Sequence, residues 1–189
     1  MKYQGETTLN IALIHHPVVN KRAEIIGSAV TNLDIHDIAR TAKTYGVARY
    51  FIATPYEDQR QLVHELLAHW ETGHGATYNP ARREALSIVR LVDSLDSATA
   101  VLTEKYGRRP LLVATSALLR ETTLGYSDLS ERIRDGVPVL LMFGTAHGLA
   151  PEVIKLADAT LPPIKGGTEY NHLSVRSAAS IVIDRLLGS

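Results

Sequence analysis

Apolar residues along this chain gather into short continuous runs, and the stretches between them carry apolar positions at helical spacing. The runs LNIALIHH (9–16), ARYFIATP (48–55), RPLLVATSA (109–117) and VPVLLMFGT (137–145) predict buried strands, the first ended by Pro17. Between them, Leu33, Ile35, Ile38, Ala39 and Ala42 predict a helix over 32–46 that stops at Gly46. Leu62, Val63, Leu66, Leu67 and Trp70 mark one face of a helix over 57–71. Gly, Asn and Pro make 72–80 a loop. Segment 81–95 reads as a helical turn running into a strand around Ile88–Val92. Further helices are expected at 94–107, 126–136 and 149–163, the last leading into a short strand. A closing helix should begin after a cap at Asn171 or His172 and pack Leu173, Ala178, Ile181, Val182, Leu186 and Leu187.

Strands of continuous apolar character, alternating with helices, indicate a parallel sheet with helices on both faces. Without an internal repeat, low-complexity segment or linker, residues 1–189 read as a single α/β domain. In such sheets ligands bind beyond the carboxyl ends of the strands, which directs attention to the residues after Thr54, Thr115, Phe143 and Leu161.

Composition narrows the chemistry. Lys+Arg and Asp+Glu number 20 each, so no global basic field holds nucleic acid and any such contact must be local. With no cysteine, disulfides, thiolate catalysis and zinc-thiolate sites are excluded, which fits a reducing cytoplasm. The N-terminal segment lacks a signal-peptide core, and no apolar run is long enough to span a bilayer. G-x-G-x-x-G, the P-loop and H-E-x-x-H are all missing. His64, His69 and His74 are spaced five apart, which rotates them around a helix, so no metal site is expected.

Two segments carry more information. In VPVLLMFGTAHGLAPEV (137–153), Gly144 and Gly148 flank a turn at a strand end, and Pro151 opens a helix. Such a turn lets backbone approach a flat ligand, although a tight strand-to-helix connection alone would also use it. In LPPIKGGTEYNHLSVRSAAS (161–180), a stiff Leu-Pro-Pro leads through Gly-Gly to the closing helix, where Ser174, Ser177 and Ser180 allow close approach of another backbone. Arg176 opposes the macrodipole at the start of that helix. A bound phosphate would offset the penalty, and plain solvent exposure would tolerate it.

Together these residues resemble the SPOUT class of S-adenosylmethionine-dependent RNA methyltransferases. TNLDIHDIARTAKTYGVARYFIATP (31–55), LLMFGTAHGLA (140–150) and LPPIKGGTEYNHLSVRSAASIVIDRL (161–186) are similar to its three motifs, in their order. The likeness covers nearly the whole chain and is closest to an uncharacterised branch sometimes joined to tRNA (guanine-N1) methyltransferases. It implies a C-terminal trefoil knot, a homodimer, RNA (tRNA or rRNA) as substrate, and S-adenosylmethionine held by three loops. Those loops would be Ala114, Thr115 and Ser116; Phe143, Gly144, Thr145, Ala146, His147, Gly148 and Leu149; and Leu161, Pro162, Pro163 and Ile164 through Asn171, His172, Leu173 and Ser174.

For catalysis the resemblance points first to Arg40, with Asn32, Ser174 and Arg176 beside it. An ion pair to Asp34 or Asp37 is the structural alternative for Arg40. Lys165 is a further phosphate candidate. His15 and His16 end the first strand, where a lone histidine is more often structural. Lys21-Arg22, Arg82-Arg83 and Arg108-Arg109 are basic pairs that read equally as solvated faces. Ala146-His147 stands where ribose-methylating members carry Glu, so the acceptor stays open between a ribose oxygen and a base atom. A knotted RNA-binding module without chemistry, and a small-molecule α/β enzyme, are the competing readings.

Overall fold

The computed structural model describes residues 7–72, 77–117 and 122–188. A six-stranded sheet has the order β5 (Val89–Val92), β4 (Arg49–Ala53), β1 (Leu9–Ile14), β7 (Val139–Gly144), β6 (Leu111–Ala114) and β8 (Ala159–Thr160). Every pairing in it is parallel. All residues of β1 are buried, because it pairs on both edges and is covered on both faces. Leu9, Ile11 and Leu13 enter one core, whereas Ala12 and Ile14 enter the other. Asn10, the polar break in that run, donates its amide to the carbonyls of Thr8 and Val139, while its Oδ1 is buried without a hydrogen-bond partner.

The first core is closed by α1 (Asn32–Thr44), α2 (Glu57–Glu71), α3 (Pro80–Leu86), α5 (Tyr126–Arg134) and α7 (Val175–Leu187). The second lies under α4 (Leu95–Tyr106) and α6 (Pro151–Leu156). This is the doubly covered parallel sheet that the apolar runs predict. Helix starts follow local chemistry: the side chains of Thr31, Asn79 and Ser94 each accept a first-turn backbone N–H.

Several expectations need correction. Leu33 and Leu62 do not join the core; they are 61% and 48% exposed. The buried face of α1 is Ile35, Ile38, Ala39 and Ala42, with Asp34 buried beside them. The closing helix begins at Val175, and its cap is Ser174, whose hydroxyl accepts the Ser177 N–H, rather than Asn171 or His172. Leu173 thus precedes the helix and is 43% exposed, while Ala179, Val182, Ile183 and Leu186 form the buried stripe. The small residues do permit close packing. Ser180 bonds Thr41 across α1 and α7 at 3.0 Å, and Tyr45 donates to Asp184 at 2.7 Å.

A hairpin of β2 (Val18–Val19) and β3 (Ile25–Ile26) was not legible, since two-residue strands carry no alternation. Asn20 holds its turn by accepting the N–H groups of Arg22 and Glu24. The hairpin buttresses the loop after β7. The His147 N–H donates to the Val19 carbonyl at 2.9 Å, and the Val19 N–H to the Gly148 carbonyl at 3.0 Å.

Candidate functional site

Loops at the carboxyl ends of β6, β7 and β8 enclose a cleft of about 700 Å³. Small-molecule sites span roughly 300–1,000 Å³. The loop after β6 brings Thr115 and Ser116; Thr115 is fixed by two bonds to the Met142 carbonyl, from N–H and hydroxyl. The loop after β7 brings Phe143, Gly144, Thr145, Ala146, His147 and Gly148. The segment after β8 brings Pro162, Pro163 and Ile164, then Asn171, His172, Leu173 and Ser174. Three regions far apart in sequence therefore converge, as the resemblance implies. Ala114, Leu149 and Leu161 do not reach the cleft; all three are buried beneath its loops. Lys165 and His16 lie outside its lining as well.

The glycines have distinct reasons. A Cβ on Gly144 would come within 2.4 Å of the Leu149 nitrogen and 2.6 Å of the Gly148 carbonyl carbon, so the loop folds directly over its own start. Gly148 has φ +115°, a backbone conformation that side-chain-bearing residues rarely adopt, and nothing lies near its missing Cβ. The result is a bare backbone surface between apolar walls of Phe143, Pro162, Pro163, Ile164 and Val175. Such a cradle, flat and apolar with peptide groups and hydroxyls at its edges, fits the adenosyl part of S-adenosylmethionine.

Ser28, Thr31, Asp34 and Tyr126 also line the cleft, and none of them was a candidate for it in the sequence. The Tyr126 hydroxyl donates to the Pro162 carbonyl at 3.1 Å, pinning the segment after β8. Burial pushes the Tyr126 phenol up, and the Arg185 guanidinium, packed over its ring, pulls it partly back. Arg176 is neither free nor merely solvated: Nη1 donates to Asp34 Oδ1 at 2.7 Å, and Nε lies 3.6 Å from Asp37 Oδ2.

His15 is fully buried behind this wall. The Thr145 hydroxyl meets the Ile14 carbonyl and shares a hydrogen bond of 2.5 Å with the Ser28 hydroxyl. His15 Nδ1 shares a hydrogen bond of 3.1 Å with the Ser28 hydroxyl, and Nε2 is buried without a partner. Burial holds this imidazole below its ordinary value of 6.5, against the pull of the Asp34 carboxylate and of the Ser28 and Ala29 backbone. The unfolded chain therefore binds more protons below that value, and stability rises with pH there. Urea midpoints should fall as pH drops from about 7 to 5, and His15→Asn should flatten the slope. An unchanged slope in the variant would assign the effect elsewhere.

Asn32 and Arg40 face a different place. They line a second cleft, of about 590 Å³, between α1, α2 and α3. Among the described residues Arg40 has no ion pair; it is Arg176 that takes Asp34 and Asp37. The basic pairs separate as well. Arg109 binds Asp158 at 2.7 Å, Arg108 donates to the Gly136 carbonyl, Arg82 packs over Trp70, and Lys21, Arg22 and Arg83 are exposed. His64 and His69 sit on α2, while His74 lies outside the described residues. No group of three His, Cys, Asp or Glu side chains among the described residues gathers to hold a metal, and no described helix is long and apolar enough to cross a membrane.

A family model described as SAM-dependent RNA methyltransferase matches residues 8–188. A tRNA (guanine-N(1)-)-methyltransferase of Oleidesulfovibrio alaskensis is 48% identical over 180 residues, which is 95% of this chain and 42% of that protein. Its counterpart in Nitratidesulfovibrio vulgaris is 46% identical with the same coverage. The chain thus spans less than half the length of these two relatives. An uncharacterized protein of Aquifex aeolicus is 39% identical across 93% of this chain and 86% of its own length. Among solved structures, a probable methyltransferase of Bordetella pertussis superposes with TM-score 0.61 at 17% identity, covering 95% of this chain and 94% of the other. The SpoU methyltransferase AviRb of Streptomyces viridochromogenes, solved with AdoMet, gives 0.59 at 16% identity, with 95% and 56% covered. At such identities these structures speak for the fold, whereas the family model and the relatives speak for descent. The converging loops, the glycine cradle and a match running from residue 8 to residue 188 lead to one conclusion: this chain belongs to the family of SAM-dependent RNA methyltransferases.

Proposed function

We propose that this chain transfers a methyl group from S-adenosylmethionine to a nucleotide of RNA, with tRNA as the substrate class. The observation that carries the reading is the cleft in which Gly144 and Gly148 bare the backbone opposite the segment after β8. The activity for which the relatives are named supports tRNA. Their guanine-N1 specificity belongs to chains of which this one covers 42%, so it is not carried over.

S-adenosylmethionine supplies an electrophilic methyl on a sulfonium. The loops after β6, β7 and β8 would hold it by backbone and apolar contact, through Thr115, Ser116, Phe143 to Gly148, and Pro162 to Ile164. The acceptor forms its new bond to carbon as the sulfur–carbon bond breaks, and it gives up its proton. Methyl transfer in line needs alignment above all, and Asn171, His172 and Ser174 stand on the wall where an acceptor would enter. His172 is an exposed imidazole on that wall and takes the proton in this reading. Arg176 sets the shape of that wall through Asp34.

Asn32 and Arg40 then contact RNA instead of cofactor. The same reading includes the trefoil knot, with the segment after β8 threaded to bring α7 against α1, a homodimer, and work in the cytoplasm. Calorimetry should show S-adenosylmethionine binding, and tritiated methyl should enter tRNA from a strain lacking the gene. Arg40→Ala should lower that incorporation about tenfold or more with cofactor affinity unchanged. Cofactor binding without methyl incorporation would favour the non-catalytic RNA-binding module. Absence of cofactor binding at millimolar ligand would overturn the proposal.

A further inference from the structure

The second cleft shares no lining residue with the cleft proposed to hold the cofactor, and it is built in an unusual way. Trp70 is the only tryptophan in the sequence. His36 and His69 meet its ring edge-on, with centroids 5.4 and 5.3 Å away, and the Arg82 guanidinium lies over the ring at 5.0 Å. Two polar atoms here, His36 Nδ1 and Arg82 Nε, are buried without a partner. Buried polar atoms are nearly always satisfied, so two unmet ones on side chains that line one cleft single it out.

Charge points the same way. Neither the Arg40 nor the Arg82 guanidinium has a hydrogen bond or ion pair among the described residues. Of the two carboxylates lining the cleft, Asp37 lies against Arg176, and Glu65 accepts the Gln61 amide. Burial foremost, and then Arg82, holds His36 below its ordinary value, so a neutral imidazole sits beside the two cations. A planar guanidinium stacked on an indole, with a second guanidinium nearby, suits a nucleobase joined to a phosphate. The two clefts share α1 as a wall. Thr31 and Asp34 face the cofactor cleft, and Asn32, His36, Asp37 and Arg40 face the other.

We propose that this second cleft is an RNA subsite that stacks an unpaired nucleobase on the Arg82–Trp70 platform and meets its phosphate with Arg40. The proposal rests on RNA being the substrate. It adds a nucleotide held apart from the reacting one, on the opposite side of α1.

Because Trp70 is the sole tryptophan, its fluorescence reports on this cleft. The experiment titrates the full chain, in saturating S-adenosylmethionine, with a short unstructured RNA oligonucleotide and separately with adenosine monophosphate. RNA binding is followed in parallel by anisotropy of an end label. Both ligands should quench Trp70, and Arg82→Ala should weaken RNA binding about tenfold with cofactor affinity unchanged. Arg82→Lys keeps the charge without the plane, so it should recover the salt dependence of binding and little of the quench. RNA binding in the wild type with Trp70 fluorescence unmoved would overturn the subsite and leave the RNA substrate standing. Failure of any RNA to bind the cofactor-loaded protein would overturn both.

Discussion

Gly144→Ala should cut methyl transfer about 100-fold, the loss that a displacement near 1 Å produces in an aligned site. The added Cβ would meet the Leu149 nitrogen at 2.4 Å and the Gly148 carbon at 2.6 Å. Both are backbone atoms, so no rotamer change relieves the contact. The loop cannot easily move away either, because its far end is tied by the His147 and Val19 N–H bonds to the hairpin. What gives way is the curvature of residues 144–149, the surface proposed to hold the cofactor. Overpacking of this kind also lowers stability by about 1–3 kcal/mol. Gly148→Ala meets no neighbour but must adopt φ +115°, a strain of about 1–3 kcal/mol. Gly166→Ala, with open space around it and no unusual φ, is the control and should behave as wild type. Calorimetry with S-adenosylmethionine and tritium incorporation would be run on all three. Wild-type cofactor affinity in Gly144→Ala would remove the cradle from the binding account.

The contrast among those glycines shows where sequence reading works and where it stops. Gly144 and Gly148 stood out because a strand end and a helix start bracket them, and both constraints are local. The strands were legible for a similar reason: β1, β4, β6 and β7 are buried on both faces, so each leaves a continuous apolar run. Leu33 and Leu62 misled because helical spacing does not say which flank of a stripe stays wet. Both line the rim of the second cleft. Asn171 and Ser174 are both good caps in sequence, and the choice between them depends on where α7 docks on α1. The Ser28–Thr145 and His15–Ser28 bonds span 117 and 13 residues and leave no local trace. The first motif is contiguous in sequence, but α1 turns its residues toward two clefts. Thr31 and Asp34 face one and Asn32 and Arg40 the other.

Arg176 carries the second large effect, because the structure changes its role. A cation in the first turn of α7 opposes the helix dipole, and a bound phosphate was one way to offset that. The anion is instead supplied by the chain itself. Asp34 and Asp37 reach across 142 and 139 residues to the guanidinium. Asp34 is buried, and its second oxygen accepts the Thr31 hydroxyl at 2.6 Å. Arg176→Ala would therefore strand a buried carboxylate with one neutral donor, an unfavourable state worth about 2–3 kcal/mol. The urea midpoint should fall accordingly with m unchanged. Because Asp34 and Arg176 both line the cleft proposed for the cofactor, affinity for S-adenosylmethionine should fall with it. Asp34→Asn in the Arg176→Ala background removes the stranded charge and should recover most of the lost stability, a coupling that a double-mutant cycle measures directly. A phosphate-binding arginine behaves in the opposite way. Its removal leaves the urea midpoint at the wild-type value, weakens RNA binding and lowers the salt slope by about one. A wild-type midpoint for Arg176→Ala would hence return the residue to RNA, whereas a fall rescued by Asp34→Asn makes it the clasp that fixes α7 against α1 at the cofactor cleft.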